Sequence, residues 1–383
     1  MRSVLDFEPA TLPAELDDLR AEVREFLATE LAGRRFTPTS DSWMSAADLD
    51  FTRALAGRGW LGMTVPKEYG GQGRTALERF VVVEELVAAG APIAAHWIGD
   101  RQITPGLVQR GTDDQRRRFL PGLCSGDIVF AIGMSEPDTG SDLASVRTKG
   151  VRVDGGWSVT GTKIWTSGAH IAQAMMALIR TGPPGDSRHE GLTQMIIELP
   201  SDGVEIRPIV SMGGSHHFNE VTFTDVFVPD ANVFGEVGGG WAGVTGELAY
   251  ERSGPERLLS TMPVLRLLAT RSLIDQITLG RLLSRAWCLR EASISIAMSL
   301  SRGHAPDAAA AVVKELGTRY EREVLDAARG AGVEPDFTSP DELARMLAHA
   351  QVMSPTQTLR GGTNEILRGI VAKAVGVRAG GAR

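Results

Sequence analysis

The segment "VRVDGGWSVTGTKIWTS" (151–167) alternates apolar and polar side chains on both sides of a Gly-Gly turn. This alternation predicts a β-hairpin, because a half-buried strand points every second side chain to the same face of a sheet. Further strand-length segments follow, each bounded by Gly, Pro or Asp: "AQAMMALIRT" (172–181), "GLTQMIIELP" (191–200), "VEIRPIV" (204–210) and "NEVTFTDVFVP" (219–229). The sequence therefore predicts a small antiparallel β domain over residues 125–233.

Helical patterns flank this β domain on both sides. Before it, apolar residues recur at three- and four-residue steps over 13–31, about 47–58, 75–90, 93–110 and 113–120. After it, "GEVGGGW" (235–241) predicts a loop, and the remaining sequence is helical with interruptions at 302–307 and 330–340. A length of 383 residues suits two or three domains. We therefore expect a helical domain over 1–124, a β domain over 125–233 and a helical domain over 234–383.

Composition limits the class of protein. A net charge of −7 argues against nucleic acid or an anionic membrane as the main partner. No stretch approaches the roughly 18 apolar residues that a membrane span needs, and the N-terminal residues lack a signal-peptide pattern. Cys124 and Cys288 have no Cys or His at metal-ligand spacing, and the pair His216–His217 is expected on a strand or turn. We expect a cytoplasmic protein without a metal site.

Two segments of the β domain have the composition of a ligand site. "AIGMSEPDTGSDLASV" (131–146) follows an apolar strand, and its small and hydroxyl residues suit a heteroaromatic ring or a phosphate. In "GTKIWTSGAH" (161–170), a Trp followed by two hydroxyl residues is suited to line a planar cofactor. The alternative interpretations are a polar connection for the first segment and a core tryptophan for the second.

Two segments of the C-terminal region are also candidates. In "LRGGTNEILRGIVAKAVG" (359–376), two glycines open an amphipathic helix whose first N–H groups are a potential anion site, although the segment is equally typical of a simple capped helix. "GGGWAGVTGELAYERSGPERLL" (238–259) contains two Glu-Arg pairs. A carboxylate lining an apolar pocket is a good general base, but most such pairs on helices are solvated.

Taken in order, five motifs resemble the acyl-CoA dehydrogenase family over most of the chain: "VPKEYGGQG" (65–73), "MSEPDTGSDLASVRTKG" (134–150), "GTKIWTSGA" (161–169), "NEVTFTDVFVPDANVFGEVGGGW" (219–241) and "GGTNEILRGIVAKAVG" (361–376). The resemblance implies an α+β multidomain fold. An N-terminal helical domain, a middle antiparallel β domain and a C-terminal four-helix bundle are expected, with FAD between the β domain and the C-terminal helices.

The resemblance also implies roles for individual residues. The flavin contacts of the family carry over to Met134, Ser135, Trp165, Thr166, Ser167, Thr363 and Glu365. Of these, Met134 and Ser135 would meet the pyrimidine end, Trp165 would pack at the isoalloxazine, and Ser167 would reach N5. The substrate contacts carry over to Ser141, Tyr250, Arg252, Gly361 and Gly362. Ser141 would contact the pantetheine or phosphate portion of the thioester. For Arg252 the alternative role is to hold its helix to another element.

The implied reaction is α,β-dehydrogenation of an acyl thioester, in which a carboxylate removes the α-proton and the β-hydrogen leaves as hydride to flavin N5. Many family members have a glutamate directly before the Gly-Thr of the last motif, but here that position is Gly361. A subset places the base ten residues after an earlier aromatic and directly before an arginine. Counting from Trp241 gives Glu251, and Glu256 is the minor alternative.

Two further segments of the family that bind the FAD of a neighbouring subunit are not recognisable in this sequence. A differently built site, or a partner subunit that supplies the missing pieces, would explain their loss. The resemblance also implies a homo- or hetero-tetramer, with an electron-transferring flavoprotein as the electron acceptor. The substrate would be an acyl-CoA or an acyl-carrier-protein thioester. The alternatives are a flavin-dependent monooxygenase or oxidase on the same fold, and a non-catalytic subunit of a hetero-oligomeric dehydrogenase.

Overall fold

The structure is a computed structural model that describes residues 5, 7–9, 11–304 and 306–377. The chain forms two compact units. We call them the helical unit (Met1–Ala46, Thr75–Ile93 and Leu248–Arg383) and the sheet unit (Ala47–Arg74 and Ala94–Glu247).

Helices lie in or close to each of the five ranges that the periodicity predicts before the β domain. In chain order they are α1 (Leu16–Ala32), α2 (Ser42–Ser45), α3 (Leu49–Gly57), α4 (Ala76–Ala88), α5 (Ala94–Ile98), α6 (Thr104–Arg110), α7 (Asp113–Ser125), α8 (Gly240–Arg252), α9 (Met262–Thr270), α10 (Gln276–Ser301), α11 (Asp307–Gly330), α12 (Glu342–Gln357) and α13 (Asn364–Ala374). A π-helical turn over Gly99–Ile103 joins α5 to α6. Thr75 and Thr112 begin α4 and α7 with capping boxes, in which the side chain binds the N–H groups that the first turn leaves unpaired.

The strands of the sheet unit are β1 (Phe130–Gly133), β2 (Lys149–Val153), β3 (Gly156–Lys163), β4 (Ala174–Arg180), β5 (Leu192–Glu198), β6 (Val204–Val210), β7 (His216–Pro229) and β8 (Val233–Phe234). They form one sheet in the order β6-β7-β3-β2-β4-β5-β8, with β1 paired to β4. The hairpin β2–β3 is confirmed, with Gly155 at a φ of +72° in its turn.

The prediction of a wholly antiparallel sheet is wrong at two pairings. β4 pairs with β1, and at one register position with β2, in parallel orientation. The chain between β1 and β4 contains the whole β2–β3 hairpin, and a connection of that length allows β4 to run in the same direction as β1. His216 and His217 begin β7, as expected.

The core of the sheet unit is apolar. Alternate residues of its strands form a buried cluster that includes Ala131, Trp157, Met175, Ile197 and Phe223. In the helical unit, α11 packs against α9, α10, α12 and α13. Among the described residues, none of the helices combines the length and the apolarity that crossing a membrane requires.

Two boundaries in the C-terminal region position the candidate site. α8 begins at Gly240, inside the segment predicted as a loop, so only residues 235–239 connect β8 to it. α8 ends at Arg252, directly before the helix-breaking segment Ser253-Gly254-Pro255. A short 3₁₀ turn, Pro255–Arg257, follows before α9. The chain therefore turns one residue after Glu251.

Candidate active site

In the sheet unit, an ion pair and two hydrogen bonds connect the residues that follow β1 to the end of β3. Lys163 is fully buried, and its Nζ lies 2.8 Å from Oε1 of Glu136 and donates to the carbonyl of Met134 at 3.1 Å. The backbone N–H of Ile164 donates to the carbonyl of Ser135 at 3.0 Å. Met134 and Ser135 are half-buried. The structure thus brings the two motifs predicted from the sequence into direct contact.

Trp165 is not a core residue. Its side chain is 54% exposed, its φ is +58°, and its ring meets Phe218 edge-on at 5.7 Å between centroids. A bulky residue with positive φ is strained, and such strain concentrates at functional sites. The next residue, Thr166, is buried and exchanges two backbone hydrogen bonds of 3.0 Å with Asn219 of β7. The loop is therefore fixed, and it leaves the indole ring largely exposed.

One hydroxyl beside this indole is unsatisfied. Oγ1 of Thr166 is buried without a hydrogen-bond partner in the part of the chain that the structure describes. Because buried polar atoms in native folds are normally hydrogen-bonded, this hydroxyl is a candidate contact for a ligand. Ser167 is half-buried next to it, and Ser141 lies exposed in the loop before β2.

In the helical unit, Glu251 lies on the last turn of α8 with 20% of its side chain exposed. Tyr250 is half-buried beside it. Arg252 is buried, and its Nε donates to the carbonyl of Gly361 at 3.0 Å. This contact connects the end of α8 to the loop before α13, which was the alternative role considered for Arg252. Burial lowers the pKa of Arg252, and the nearby carboxylate of Glu251 opposes that effect.

The two glycines of the last motif have left-handed backbone conformations, with φ of +69° at Gly361 and +93° at Gly362. A Cβ atom on Gly361 would lie 2.9 Å from Nη2 of Arg257 and 3.1 Å from Oε1 of Glu251. The carbonyl of Gly362 accepts a 2.8 Å hydrogen bond from Nζ of Lys314. The carboxylate of Glu251 therefore lies beside the position at which many family members carry their glutamate.

Thr363 and Glu365 lie at the start of α13. The hydroxyl of Thr363 caps the helix by accepting from the N–H of Ile366 at 3.3 Å, and Glu365 is exposed. The capped-helix interpretation thus accounts for Thr363 within the described residues. The predicted apolar face of α13 is not buried against them: Ile366 is 43% exposed, whereas Leu367 packs inward.

Sequence reasoning missed a cluster of buried charged residues behind Glu251. Its members are Asp41, Glu256, Arg257, Lys314, Glu321 and Arg360. Burial raises the pKa of Glu321 to about 7 and lowers that of Lys314 to about 7. The only sequence signal was the second Glu-Arg pair, Glu256–Arg257, which resembles an ordinary surface pair.

The predicted site residues form two groups, one in each unit. The sheet unit carries Met134, Ser135, Ser141, Trp165, Thr166 and Ser167. The helical unit carries Tyr250, Glu251, Arg252, Gly361, Gly362, Thr363 and Glu365. Within the described residues, no group of three or more His, Cys, Asp and Glu side chains is arranged to hold a metal ion.

Comparisons with known proteins identify the family. The model of the acyl-CoA dehydrogenase N-terminal domain matches residues 13–127, and that of the middle domain matches residues 131–226. The acyl-CoA dehydrogenase IpdE1 of Mycobacterium tuberculosis is 32% identical over 94% of this chain and 97% of its own length. FadE26 of the same organism is 33% identical over 93% and 95%. The chain belongs to the acyl-CoA dehydrogenase family.

Solved structures share the fold. The Tcur3481-Tcur3483 steroid ACAD superposes with a TM-score of 0.82 at 30% identity, covering 95% of this chain and 97% of its own. The ChsE4-ChsE5 complex from Mycobacterium tuberculosis superposes with a TM-score of 0.81 at 29% identity, covering 97% and 99%. The expected helical, β and helical organisation is confirmed, and the chain is an enzyme of acyl-CoA dehydrogenation.

Proposed function

We propose that this acyl-CoA dehydrogenase uses Glu251 as the general base in FAD-dependent α,β-dehydrogenation of an acyl-CoA thioester. One observation carries the proposal: the carboxylate of Glu251 lies 3.1 Å from the point where a side chain on Gly361 would begin. A side chain on residue 361 would thus begin directly beside the carboxylate of Glu251. Gly361 has no proton-accepting group, and Glu251 supplies one there.

The exposure of the two candidate bases favours Glu251 over Glu256. A general base has to reach the proton that it removes. Glu251 has 20% of its side chain exposed, while Glu256 has 1%. The partial shelter of Glu251 limits hydration of its carboxylate and still leaves an approach for a substrate. Glu256 has no comparable approach from solvent.

The residues of the sheet unit fit a flavin. The exposed ring of Trp165 and the unsatisfied hydroxyl of Thr166 offer an aromatic wall and a polar contact. Met134, Ser135 and Ser167 would complete the set that holds the isoalloxazine. When bound, FAD supplies the acceptor for the β-hydride. The protein's own contribution is to bind the thioester through groups such as Ser141 and to hold the carboxylate that takes the α-proton.

The test is anaerobic reduction of the purified, flavin-loaded enzyme by a panel of acyl-CoAs. We expect bleaching of the flavin in the wild type and a rate lower by roughly 10²–10⁴-fold in Glu251→Gln, the usual range for a general base. Glu256→Gln is the matched control, because it neutralises a neighbouring carboxylate. Equal bleaching in Glu251→Gln would reject Glu251. Rapid reoxidation of the reduced enzyme by O₂ would instead favour an oxidase or monooxygenase.

The similarity to the Tcur3481-Tcur3483 steroid ACAD supports a steroid-type acyl-CoA as the first substrate in that panel. Straight-chain and branched acyl-CoAs and an acyl-carrier-protein thioester complete it. Reduction by straight-chain acyl-CoAs alone would reject the steroid class. An electron-transferring flavoprotein is the proposed acceptor.

We also propose that the chain works in a tetramer, with the three domains 1–124, 125–233 and 234–383, in the cytoplasm. Solved neighbours that consist of two different chains support a hetero-oligomer. Exposed apolar side chains on α10 support a further interface: Ile277 is 85% exposed and Trp287 is 63% exposed. Purification of the chain alone tests this, since a yellow, active homotetramer would exclude a required second subunit.

A further inference from the structure

We propose that Arg257 is a positioning residue for the reaction: its guanidinium holds the carboxylate of Glu251 at the place where that carboxylate takes the proton. This inference rests on the proposed function. It assigns a role to a residue that neither the family motifs nor the comparisons mark.

The contact between the two residues involves both the backbone and the side chain of Glu251. Nε of Arg257 donates to the carbonyl of Glu251 at 2.9 Å, and Nη2 lies 3.5 Å from Oε1. One rigid planar group therefore contacts Glu251 at its backbone carbonyl and at its carboxylate.

The guanidinium itself is fixed by its surroundings. Arg257 is 3% exposed, and its Cζ lies 4.9 Å from the ring centroid of Trp43. Nε1 of Trp43 donates to the hydroxyl of Ser260 at 2.9 Å, which fixes the ring in turn. Cations that lie over an indole ring are attracted to its face. Arg257 is thus positioned before any ligand arrives.

The turn that carries Arg257 also requires a specific neighbour. A Cβ atom on Gly317, in the middle of α11, would overlap the carbonyl oxygen of Arg257. Glycine in a helix interior costs about 1 kcal/mol relative to alanine. Here it allows the Pro255–Arg257 turn to approach the backbone of α11. The hydroxyl of Ser260 then accepts from Trp43 and donates to the carbonyl of Glu256 at 2.7 Å.

A purely structural role explains this arrangement poorly. Nη1 of Arg257 is buried and lacks a hydrogen-bond partner among the described residues, and the contact of Nη2 with Glu251 is long. Replacing a buried ion pair by apolar side chains is often neutral or stabilising. Burial lowers the pKa of Arg257, against the opposing effect of the carboxylates of Glu251 and Glu256. A buried, incompletely bonded cation directly against the candidate base is better explained by its effect on that base.

The test compares flavin-loaded wild type, Arg257→Ala, Arg257→Lys and Glu251→Gln in anaerobic stopped-flow reduction by acyl-CoA. We expect the limiting rate of reduction to fall by about 100-fold in Arg257→Ala, the size of effect that a misplacement of about 1 Å produces. The substrate concentration at half-saturation should change less than about threefold, because uniform binding is not affected. Millimolar guanidinium chloride should restore part of the rate, and ammonium chloride should not.

The matched control is Arg360→Ala. Arg360 also lies over Trp43, with its Cζ at 4.4 Å, and its guanidinium pairs with Asp41 through two contacts of 2.6 Å. Its loss should lower stability without the specific loss of rate. If the wild type is reduced, Glu251→Gln is not, and Arg257→Ala matches the wild type, the inference is overturned and the proposed function stands. If no acyl-CoA reduces the wild type, the proposed function fails.

If Arg257→Ala does not fold stably, Arg257→Lys still tests the inference. Arg257→Lys keeps the charge and loses the fork that contacts both the backbone and the carboxylate of Glu251, so its limiting rate should lie between those of wild type and Arg257→Ala. A wild-type limiting rate in Arg257→Lys, or a rescue by ammonium as large as that by guanidinium, would contradict a positioning role for the guanidinium.

Discussion

In each unit an ion pair lies next to candidate functional residues, and the two pairs compared below differ in geometry and exposure. In the sheet unit, Nζ of Lys163 lies 2.8 Å from Oε1 of Glu136, with 0% and 7% of the side chains exposed. In the helical unit, Nη2 of Arg257 lies 3.5 Å from Oε1 of Glu251, whose side chain is 20% exposed. The first pair is short and enclosed, and the second is long and open on the carboxylate side.

Two further hydrogen bonds to Glu136 add to this difference. Both oxygens of Glu136 also accept backbone N–H groups, from Arg147 at 2.6 Å and Thr148 at 2.9 Å. Burial acts to raise the pKa of Glu136, but Lys163 and these N–H groups outweigh it and the net pKa is lowered. A carboxylate bonded in this way fixes two loops and resists protonation. A carboxylate in a long, partly exposed pair keeps an oxygen within reach of a proton donor.

The largest effect is expected when the enclosed pair is broken. Lys163→Met leaves Glu136 buried without its cation, and such a change typically costs about 3–5 kcal/mol. We expect the lower end of this range, since the two backbone N–H groups remain. Urea unfolding measures it, with Arg207→Met as the control, because Arg207 forms an exposed pair with Glu205 on the same sheet at 2.9 Å. An equal loss of unfolding free energy in both variants would mean that burial of an ion pair does not raise its contribution to stability.

The open pair should be sensitive to a single methyl group. Gly361→Ala places a Cβ 2.9 Å from Arg257 and 3.1 Å from Glu251, and we expect flavin reduction to slow by roughly 100-fold. Alanine is also strained at a φ of +69°. Gly376→Ala controls for that strain, because its φ is +86° and its Cβ would meet no atom within 4 Å. Similar rates in the two alanine variants would show that the pair has room to move.

The sequence predicted what depends on local chemistry. The Ser-Gly-Pro segment after Arg252 ends α8 because proline and glycine act on the backbone within a turn. The choice of Glu251 as base came instead from the family resemblance, by counting ten residues from Trp241. The contact of Arg257 with Glu251 was not predictable, since it depends on the close approach of a distant glycine, Gly317, and on the ring of Trp43. The parallel pairing of β1 with β4 was missed for the same reason, because strand partners far apart in sequence leave no local pattern.

Two buried glutamates, one in each unit, should also contribute to the pH dependence of stability with opposite signs. Burial, with Asp41 nearby, raises the pKa of Glu321 to about 7, so the native state keeps a proton that the unfolded chain releases above about pH 4.5. Glu321 therefore lowers stability as the pH rises from about 4.5 to 7, by at most about 3 kcal/mol. Glu136 has a lowered pKa, so its contribution is present above about pH 4.5 and is lost as the pH falls.

Two glutamine variants measure this contrast by urea unfolding between about pH 5 and pH 8. Relative to the wild type, Glu321→Gln should gain stability as the pH rises, because glutamine does not ionise. Its amide oxygen can still accept the 3.0 Å bond from the N–H of Ser260. Glu136→Gln should be less stable than the wild type across the whole range. Parallel curves for Glu321→Gln and the wild type would show that Glu321 titrates at the same pH in the folded and unfolded states.

The smallest effect concerns the cap of α13, where the resemblance predicts a flavin contact and the structure shows a helix cap. Thr363→Ala removes the acceptor for the N–H of Ile366, and loss of such a cap costs about 1 kcal/mol. Thr75→Ala is the control, because Thr75 caps α4 with the same kind of bond. If Thr363 also binds FAD, only Thr363→Ala should weaken flavin retention, measured by titration of the apoprotein, and Thr363→Ser should restore it. Equal flavin affinity in both alanine variants would leave Thr363 with the cap alone.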